Sequence, residues 1–208
     1  MSIAYNTLEA EAKTEFKELG SKFLTIGLPC DSIESFENRL AEIKKEHYDT
    51  THHCYGWRIN PFDVTEFAQD DGEPTGTAGL PILNQLRSAN LCNTGIIVVR
   101  YYGGTKLGKS GLIKAYGSSA EQCIEQAKLA RITPGKSLRV KAPYEHVKQI
   151  EYLTGMHNAV LADTTYAAEV TFKIHAPDGS YAALFNALCG LEYLGVKCDE
   201  GNTVIITL

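Results

Sequence analysis

The stretch VVRYYGGTKLGKSGLIKAY, residues 98–116, joins an apolar run to a segment of helical periodicity through a glycine-rich loop. The apolar run starts further back, as TGIIVVRYY at 94–102, and its unbroken character predicts a buried strand. After the loop, LIKAYGSSAEQCIEQAKL at 112–129 predicts a helix with Tyr116 and Ala120 on one face. A predicted strand, a glycine-rich loop and a predicted helix therefore follow one another in this stretch.

The same loop completes the phosphate-loop pattern G-x-x-x-x-G-K-[ST] with Gly103, Gly108, Lys109 and Ser110. In such loops backbone N–H groups surround phosphate oxygens, the lysine adds charge and the hydroxyl holds Mg²⁺. The setting here differs, because about 100 residues precede the loop, whereas NTPases normally carry it on the first strand of a parallel sheet. A phosphate-handling, NTPase-like enzyme that uses residues 103–110, with Asp71 or Glu73 on Mg²⁺, is nevertheless one alternative function.

The composition of the 208-residue chain, 44% hydrophobic and 22% charged, is typical of a globular protein. No apolar run approaches the roughly 20 residues of a membrane helix, and the polar, acidic N-terminal segment does not resemble a secretory or transit peptide. The six cysteines are scattered without a CxxC pair, which argues against a structural zinc site and a disulfide framework. We therefore expect a cytoplasmic protein with no membrane partner, no metal and no cofactor.

The charge is distributed unevenly along the chain. The net charge of −5 argues against nucleic acid by itself, yet residues 87–141 carry ten Lys and Arg against two Glu, a balance of +8. The remaining residues have a balance of −13. Such asymmetry can attract phosphates to one surface. The alternative is that these basic residues only solvate helix and loop surfaces.

The segments before the opening stretch predict further helices and strands. A helix is expected after a cap at Asp31 or Ser32, because apolar residues follow at spacings of three and four. The other predicted segments are a strand pair or bent strand at 16–30, a strand at 52–59, a loop-rich passage at 60–79 and a helix at 79–90.

The segment RITPGKS, residues 131–137, predicts a linker because Pro134 and Gly135 interrupt both periodicities. The pattern after it is βαββαβ, the ferredoxin-like arrangement. Its segments are a strand at 138–142, a helix near 144–156, two strands with a turn near 167–169, a helix near 179–194 and a strand at 204–208. We predict an α+β protein with domains at 1–132 and 137–208.

Two long blocks carry a likeness to a known family. DDGEPTGTAGLPILNQL at 70–86 and NTGIIVVRYYGGTKLGKSGLIKAY at 93–116 resemble the core signature of the IMPACT/YigZ family. HHC at 52–54 resembles another family block, and the βαββαβ segment is similar to the small second domain of bacterial YigZ-type members. At Lys109 and Ser110 the family typically has small residues. The phosphate-loop pattern is therefore completed where this chain departs from the family it resembles.

The resemblance implies a fold and a biological setting. The first domain should be α/β, of the kind seen in the second domain of ribosomal protein S-five, and the second should resemble the last domain of elongation factor G. Eukaryotic members of the family regulate translation initiation under stress through a ribosome-associated partner protein. The resemblance thus implies a translation-associated role, with RNA or a ribosome-associated protein as the partner.

The end of the buried strand is the main candidate binding surface. Arginine and tyrosine beside a glycine loop suit phosphate and base contacts, through paired charge and stacking. In the alternative interpretation, one tyrosine belongs to the core and Arg100 pairs with a nearby carboxylate. The predicted nucleic-acid or phosphate-binding residues are Arg100, Tyr101, Tyr102, Gly103, Gly104, Lys106, Lys109 and Lys114.

Asp70, Asp71 and Glu73 place three carboxylates within four residues and would border this surface. They could form a hard-cation site or an acid–base pair. Alternatively, Asp71 and the glycine after it form a tight turn, and Thr75 or Thr77 caps the next helix.

His53 and Cys54 are further candidates, as a metal site or a nucleophile. His52 and Cys54 share one face of a strand, but no third ligand is evident, and a nucleophile needs a base that only tertiary structure can place. The alternative is a packed, hydrogen-bonded strand. No catalytic residue can be assigned, so we expect a binding protein rather than an enzyme. A protein-interaction module that binds no nucleic acid is a further alternative.

Overall fold

The computed structural model describes residues 4–50 and 52–207. These residues divide into two compact units: the first is Tyr5–Ala130, and the second is residues 131–207 together with Ala4. The first unit contains strands β1 (Tyr5–Leu8), β2 (Ala12–Glu18), β3 (Ser21–Pro29), β4 (His52–Ile59), β5 (Thr65–Gln69) and β6 (Thr94–Tyr101), with helices α1 (Ile33–Glu46), α2 (Gly79–Ser88) and α3 (Gly108–Gln126). None of the helices in the described ranges is long and apolar enough to cross a membrane.

Strand β6 lies at the centre of an antiparallel sheet in the order β2-β3-β6-β4-β5. Successive side chains of a strand point to opposite faces. Ile96 and Val98 therefore pack with α2 and α3, whereas Ile97 and Val99 pack with α1. The sheet is thus covered by helices on both faces, which explains the unbroken apolar run. The predicted buried strand is confirmed.

Helix α1 begins where the sequence predicts. Ser32 is the N-cap, and its Oγ accepts a hydrogen bond from the backbone N–H of Ser35 at 3.2 Å. Phe36, Leu40 and Ile43, at helical spacing, are buried against the sheet. The predicted strand pair at 16–30 is also present, because β2 and β3 form an antiparallel hairpin around Leu19 and Gly20.

Strand β5 was not predicted, since residues 60–79 showed only turn and loop character. It pairs with β4 alone and forms an edge of the sheet. Most of its side chains are exposed, so its sequence lacks the apolar alternation of a half-buried strand. Its Phe67 ring stacks on the Trp57 ring at 5.8 Å between centroids.

The second unit has the predicted βαββαβ order. Its strands form an antiparallel sheet in the order β10-β7-β9-β8, and its two longer helices pack on the apolar side chains of one face. The elements are β7 (Leu129–Ala142), α4 (Val147–Met156), β8 (Val160–Tyr166), β9 (Val170–Pro177), α5 (Asp178–Cys189) and β10 (Lys197–Thr207), with short 3₁₀ turns at Tyr144–His146 and Glu192–Leu194. The predicted α+β class is confirmed.

Residues 131–137 are not a linker, contrary to the sequence prediction. They belong to β7, in which Pro134 lies opposite Ile205 and Gly135 lies between Val204 and Pro177. Proline and glycine are unusual inside strands and normally mark an edge, a bulge or a close backbone approach. Here the glycine is required, because a Cβ on it would collide with the backbone oxygen of Ala176. The residues that predicted a break thus serve close packing within the sheet.

Candidate functional site

A cleft of about 280 Å³ opens between the end of β6, the turn before α2 and the start of α3. We call it the β6–α3 cleft. The turn residues, the strand end and the first turns of the helix each contribute side chains to it. Its lining residues are Glu73, Pro74, Arg100, Tyr102, Lys106, Leu107, Gly108, Lys109 and Leu112.

The floor of the β6–α3 cleft is an ion pair between Glu73 and Arg100. Their side chains are only 5% and 7% exposed, and Arg100 Nη1 donates to Glu73 Oε1 at 2.6 Å. The hydroxyl of Tyr116 donates to the same oxygen at 2.9 Å, and Arg100 Nη2 donates to Ser21 Oγ at 3.3 Å. The guanidinium charge of Arg100 is therefore balanced by a buried carboxylate, as the alternative interpretation of the sequence expected.

Cys54 and Tyr116 continue this buried network away from the cleft. Cys54 Sγ lies 3.0 Å from the backbone oxygen of Asp70 and 3.3 Å from the Tyr116 hydroxyl. Burial raises the pKa of the Cys54 thiol to about 12 and also raises the pKa of the Tyr116 phenol. Both groups are consequently neutral near pH 7. The Cys54 thiol is therefore not the ready thiolate that a nucleophile uses.

The rim of the cleft has a different chemical character. Tyr102 is 55% exposed, and the guanidinium of Arg100 lies 5.5 Å from its ring centroid. Lys106 and Lys109 are exposed and form no ion pair with any residue in the described ranges. Helix α3 starts at Gly108 without a side-chain cap or an acidic residue in its first turn, so its N-terminal N–H groups add positive potential.

The glycine pair between β6 and α3 serves two separate requirements. A Cβ on Gly103 would collide with the backbone of Gly20 and Ser21, and the Gly103 N–H donates to Ser21 Oγ at 3.2 Å. Gly104 has open space around it, but its φ of 85° lies in the left-handed region that favours glycine. Gly103 therefore lets the loop approach the β2–β3 turn, and Gly104 redirects the chain.

Asp70 caps helix α2 from outside the helix. Its Oδ1 accepts from the backbone N–H groups of Ala78 and Gly79 at 3.0 and 2.9 Å, and its Oδ2 accepts from Gly76 N–H at 2.8 Å. Thr77 does not take this role, because its hydroxyl donates to the backbone oxygen of Pro74. The carboxylate of Asp70 is thus fully engaged by backbone donors.

Asp71 ties the same turn to β4. Its Oδ2 accepts from the backbone N–H of His53 at 2.7 Å, and Lys44 Nζ lies 3.7 Å from Oδ1. The Nδ1 atom of His52 lies 2.8 Å from the backbone oxygen of Asp71. Burial lowers the pKa of His53 despite the nearby Asp71 carboxylate. Within the part of the chain that the structure describes, no cluster of three His, Cys, Asp or Glu side chains could hold a metal ion.

The residues that build the cleft lie within a segment that defines a protein family. Residues 19–124 match the model of the Impact N-terminal domain. The chain belongs to the IMPACT family. IMPACT family member YigZ of Escherichia coli (strain K12) is 35% identical over 164 residues, covering 78% of this chain and 80% of the relative. The bacterial YigZ-type resemblance seen in the sequence is therefore confirmed.

Two further comparisons extend over most of the chain. IMPACT family member YvyE of Bacillus subtilis (strain 168) is 30% identical over 84% of this chain and 81% of the relative. A solved structure, described as the crystal structure of an hypothetical protein, superimposes with a TM-score of 0.65 at 29% identity. That comparison covers 95% of this chain and 97% of the other, so the likeness includes both units of this IMPACT family member.

The structure brings together only some of the residues in the predicted site. Arg100, Tyr102, Lys106 and Lys109 line one cleft, together with Glu73. Tyr101 points to the opposite face of the sheet, because side chains alternate along β6, and its hydroxyl lies 2.8 Å from His47 Nδ1. Lys114 is exposed on α3 but does not line the cleft. Asp70 and Asp71 are held by other partners.

Sequence reasoning missed the apolar wall of the cleft. Pro74, Leu107 and Leu112 form this wall, and Ser21 anchors both Arg100 and the glycine loop. Both leucines lie between lysines in residues 106–114. This pattern is the sequence feature from which an apolar wall could have been predicted. Ser21 comes from a distant hairpin and carried no signal in the sequence.

The sheet around the glycine loop also differs from that of a phosphate-loop NTPase. Strand β6 leads through the loop into α3, as the pattern requires. However, both neighbours of β6 in this IMPACT family member, β3 and β4, run antiparallel to it. The pattern at Lys109 and Ser110 therefore occurs without the parallel sheet that normally accompanies it.

Proposed function

We propose that this IMPACT family member is a non-catalytic, translation-associated binding protein that contacts RNA through the β6–α3 cleft. The observation that carries the proposal is the rim of the cleft. There Lys106, Lys109 and the uncapped N-terminus of α3 border one opening. Lysine side chains and helix N-termini are both common phosphate contacts in protein complexes with nucleic acids.

The local charge favours a phosphate-bearing partner although the whole chain is acidic. Lys106 and Lys109 have no carboxylate partner within residues 4–50 and 52–207, and the floor pair of Glu73 and Arg100 contributes no net charge. The rim is therefore the cationic part of the cleft. Such a local surface can attract RNA phosphates at low ionic strength whatever the net charge of the chain.

The buried groups beside the cleft support binding rather than catalysis. Cys54 and Tyr116 are kept neutral by burial, and the Glu73 carboxylate is occupied by Arg100 and Tyr116. A general base or nucleophile needs an available ionised or activated group within reach of substrate. The thiol and the phenol do not meet this requirement, and the carboxylate already serves as a counter-ion.

The proposal can be tested by fluorescence anisotropy with a labelled RNA in 50 to 200 mM KCl. Replacing Lys106 and Lys109 together by alanine should weaken binding and lower the salt dependence by about one counter-ion for each lysine. The matched control replaces Lys45 on α1 and Lys148 on α4, which are exposed and do not line the cleft. Absence of RNA affinity at 50 mM KCl, or an equal loss in the control, would contradict the proposal.

Two additional measurements separate the alternative functions. Calorimetry with ATP and Mg²⁺ should show no Mg²⁺-dependent binding, whereas binding that is lost in Lys109→Ala would favour a phosphate-handling enzyme. Capture of ribosomes by the immobilised protein should be reduced by nuclease treatment. Capture that survives nuclease would favour a protein-interaction module instead.

A further inference from the structure

The β6–α3 cleft combines an apolar wall and an ion-paired floor with a cationic edge. Pro74, Leu107 and Leu112 provide apolar surface, and Tyr102 adds an exposed aromatic ring. Lys106 and Lys109 are the remaining long polar side chains apart from the floor pair. A ligand that fills such a cleft needs one flat apolar part and one anionic part. A nucleotide has this division between its base and its phosphate.

The charges on the floor determine which part of a nucleotide points inward. Glu73 and Arg100 form a closed pair at 2.6 Å, and Glu73 lines the cleft. A phosphate at the floor would lie beside the carboxylate of Glu73 and would compete for a guanidinium whose two terminal nitrogens already donate to Glu73 and Ser21. A phosphate at the rim meets Lys106 and Lys109 without an acidic neighbour from the cleft lining. This arrangement favours the base inside and the phosphate outside.

Tyr102 is placed to stack on that base. The cation–π contact with Arg100 at 5.5 Å helps to orient the ring, while 55% of the residue stays exposed. Aromatic side chains bind bases of single strands by stacking, which tolerates different sequences. In an RNA duplex the bases are stacked on one another and are not available to such a ring.

Resting on the proposed RNA-binding function, we propose that the β6–α3 cleft holds one unpaired base of single-stranded RNA. The base stacks on Tyr102 against the wall formed by Pro74, Leu107 and Leu112. Its phosphate lies at the rim beside Lys106, Lys109 and the start of α3. The partner class is therefore single-stranded or locally unpaired RNA rather than a continuous duplex.

The test compares one ten-nucleotide RNA as a single strand and as a duplex, at 100 mM KCl. The single strand should bind at least tenfold more tightly than the duplex. Tyr102→Leu should weaken single-strand binding by about 5- to 150-fold, the range expected for loss of one stacked base. Tyr102→Phe keeps the ring and should bind within threefold of the wild type. Tyr48→Leu removes an exposed ring that lies outside the cleft and should not change the affinity for RNA.

A 2-aminopurine in the single strand gives a second readout, because stacking on Tyr102 quenches its fluorescence. The quenching should persist in Tyr102→Phe and disappear in Tyr102→Leu. Equal affinity for strand and duplex, or equal affinities of Tyr102→Leu and Tyr48→Leu, would overturn the single-strand inference. If replacement of Lys106 and Lys109 still weakens binding in that case, RNA binding itself stands. Loss of all RNA affinity at low salt would instead remove the proposed function.

Discussion

Removal of one charge from the buried pair of Glu73 and Arg100 should destabilise the first unit by about 3–5 kcal/mol. Both side chains are more than nine-tenths buried. In Arg100→Met, the Tyr116 hydroxyl would be the one donor left to the Glu73 carboxylate among the described residues, so a buried charge would remain without a counter-ion. The large loss comes from this uncompensated carboxylate rather than from the contact that is removed.

Replacing both partners distinguishes this cause from a simple loss of packing. The double variant Arg100→Met with Glu73→Leu contains no buried charge at the floor, and apolar pairs often replace buried ion pairs without loss. The Tyr116 hydroxyl would then lose its carboxylate acceptor and keep its contact with Cys54 Sγ, and this loss costs about 1–3 kcal/mol. We expect the double variant to be more stable than Arg100→Met alone.

Urea unfolding at pH 7 can measure these differences through the fluorescence of Trp57, the single tryptophan of the chain, which is buried in the same unit. With a slope of about 2 kcal/mol/M, the midpoint of Arg100→Met should fall by about 1.5–2.5 M. Arg87→Met is the control, because it breaks an ion pair with Glu66 at the surface and should cost less than about 1 kcal/mol. If Arg100→Met and Arg87→Met lost the same free energy of unfolding, the floor would not be a buried, charge-balanced pair. The argument that the base points inward would then lose its support.

Three other predictions concern the residues around the cleft. Asp70→Ala should cost about 2 kcal/mol in urea unfolding, because α2 loses its cap, and Asp70→Asn should cost less since it keeps an acceptor. Gly103→Ala should lower the free energy of unfolding by about 3 kcal/mol or more, because the added Cβ collides with backbone. Gly104→Ala should lower it by about 1 kcal/mol, because its φ is positive. Equal losses in the two variants would show that the structure relaxes around the Cβ at Gly103. Burial holds the pKa of His53 below the usual 6.5, so the unfolded state binds more protons below that pH. Stability is therefore complete above about pH 6.5 and falls as the pH decreases toward the folded-state pKa. Urea midpoints from pH 8 to 5 should show a smaller decline in His53→Gln; an unchanged decline would assign it to other groups.

The sequence predicted best the elements whose side chains are buried in a regular pattern. Strand β6 is covered by helices on both faces, so each position between Ile96 and Val99 has to be apolar. Helix α1 combines a capping serine with an apolar stripe. Strand β5 escaped prediction because it lies at an exposed edge, where hydrogen bonds to β4 rather than side-chain burial define the strand.

The partner of Arg100 could not be chosen from the sequence, which offered three carboxylates in one short turn. The backbone of the turn decides between them. Asp71 adopts a φ of 44°, and the chain directs Asp70 to the N–H groups of α2 and Asp71 to β4. Glu73 is the carboxylate left to face Arg100. The turn has positive φ values at Asp71, Gly72 and Gly76, a conformation that glycine adopts freely and that aspartate tolerates better than most residues.

The phosphate-loop pattern shows how separate structural requirements can reproduce a catalytic signature. Gly103 is needed for close approach to the β2–β3 turn, and Gly108 has a φ of 70° where α3 begins. Lys109 and Ser110 then occupy exposed positions in the first turn of that helix.

A positive helix N-terminus with lysines is enough to hold one phosphate at a rim. Triphosphate chemistry also needs a Mg²⁺ ligand set. The carboxylates that the sequence offered for it already have partners: Glu73 accepts from Arg100 and Tyr116, and Asp70 and Asp71 accept from backbone N–H groups. Recognition of a phosphate at the rim, as proposed above, needs no such ligand set.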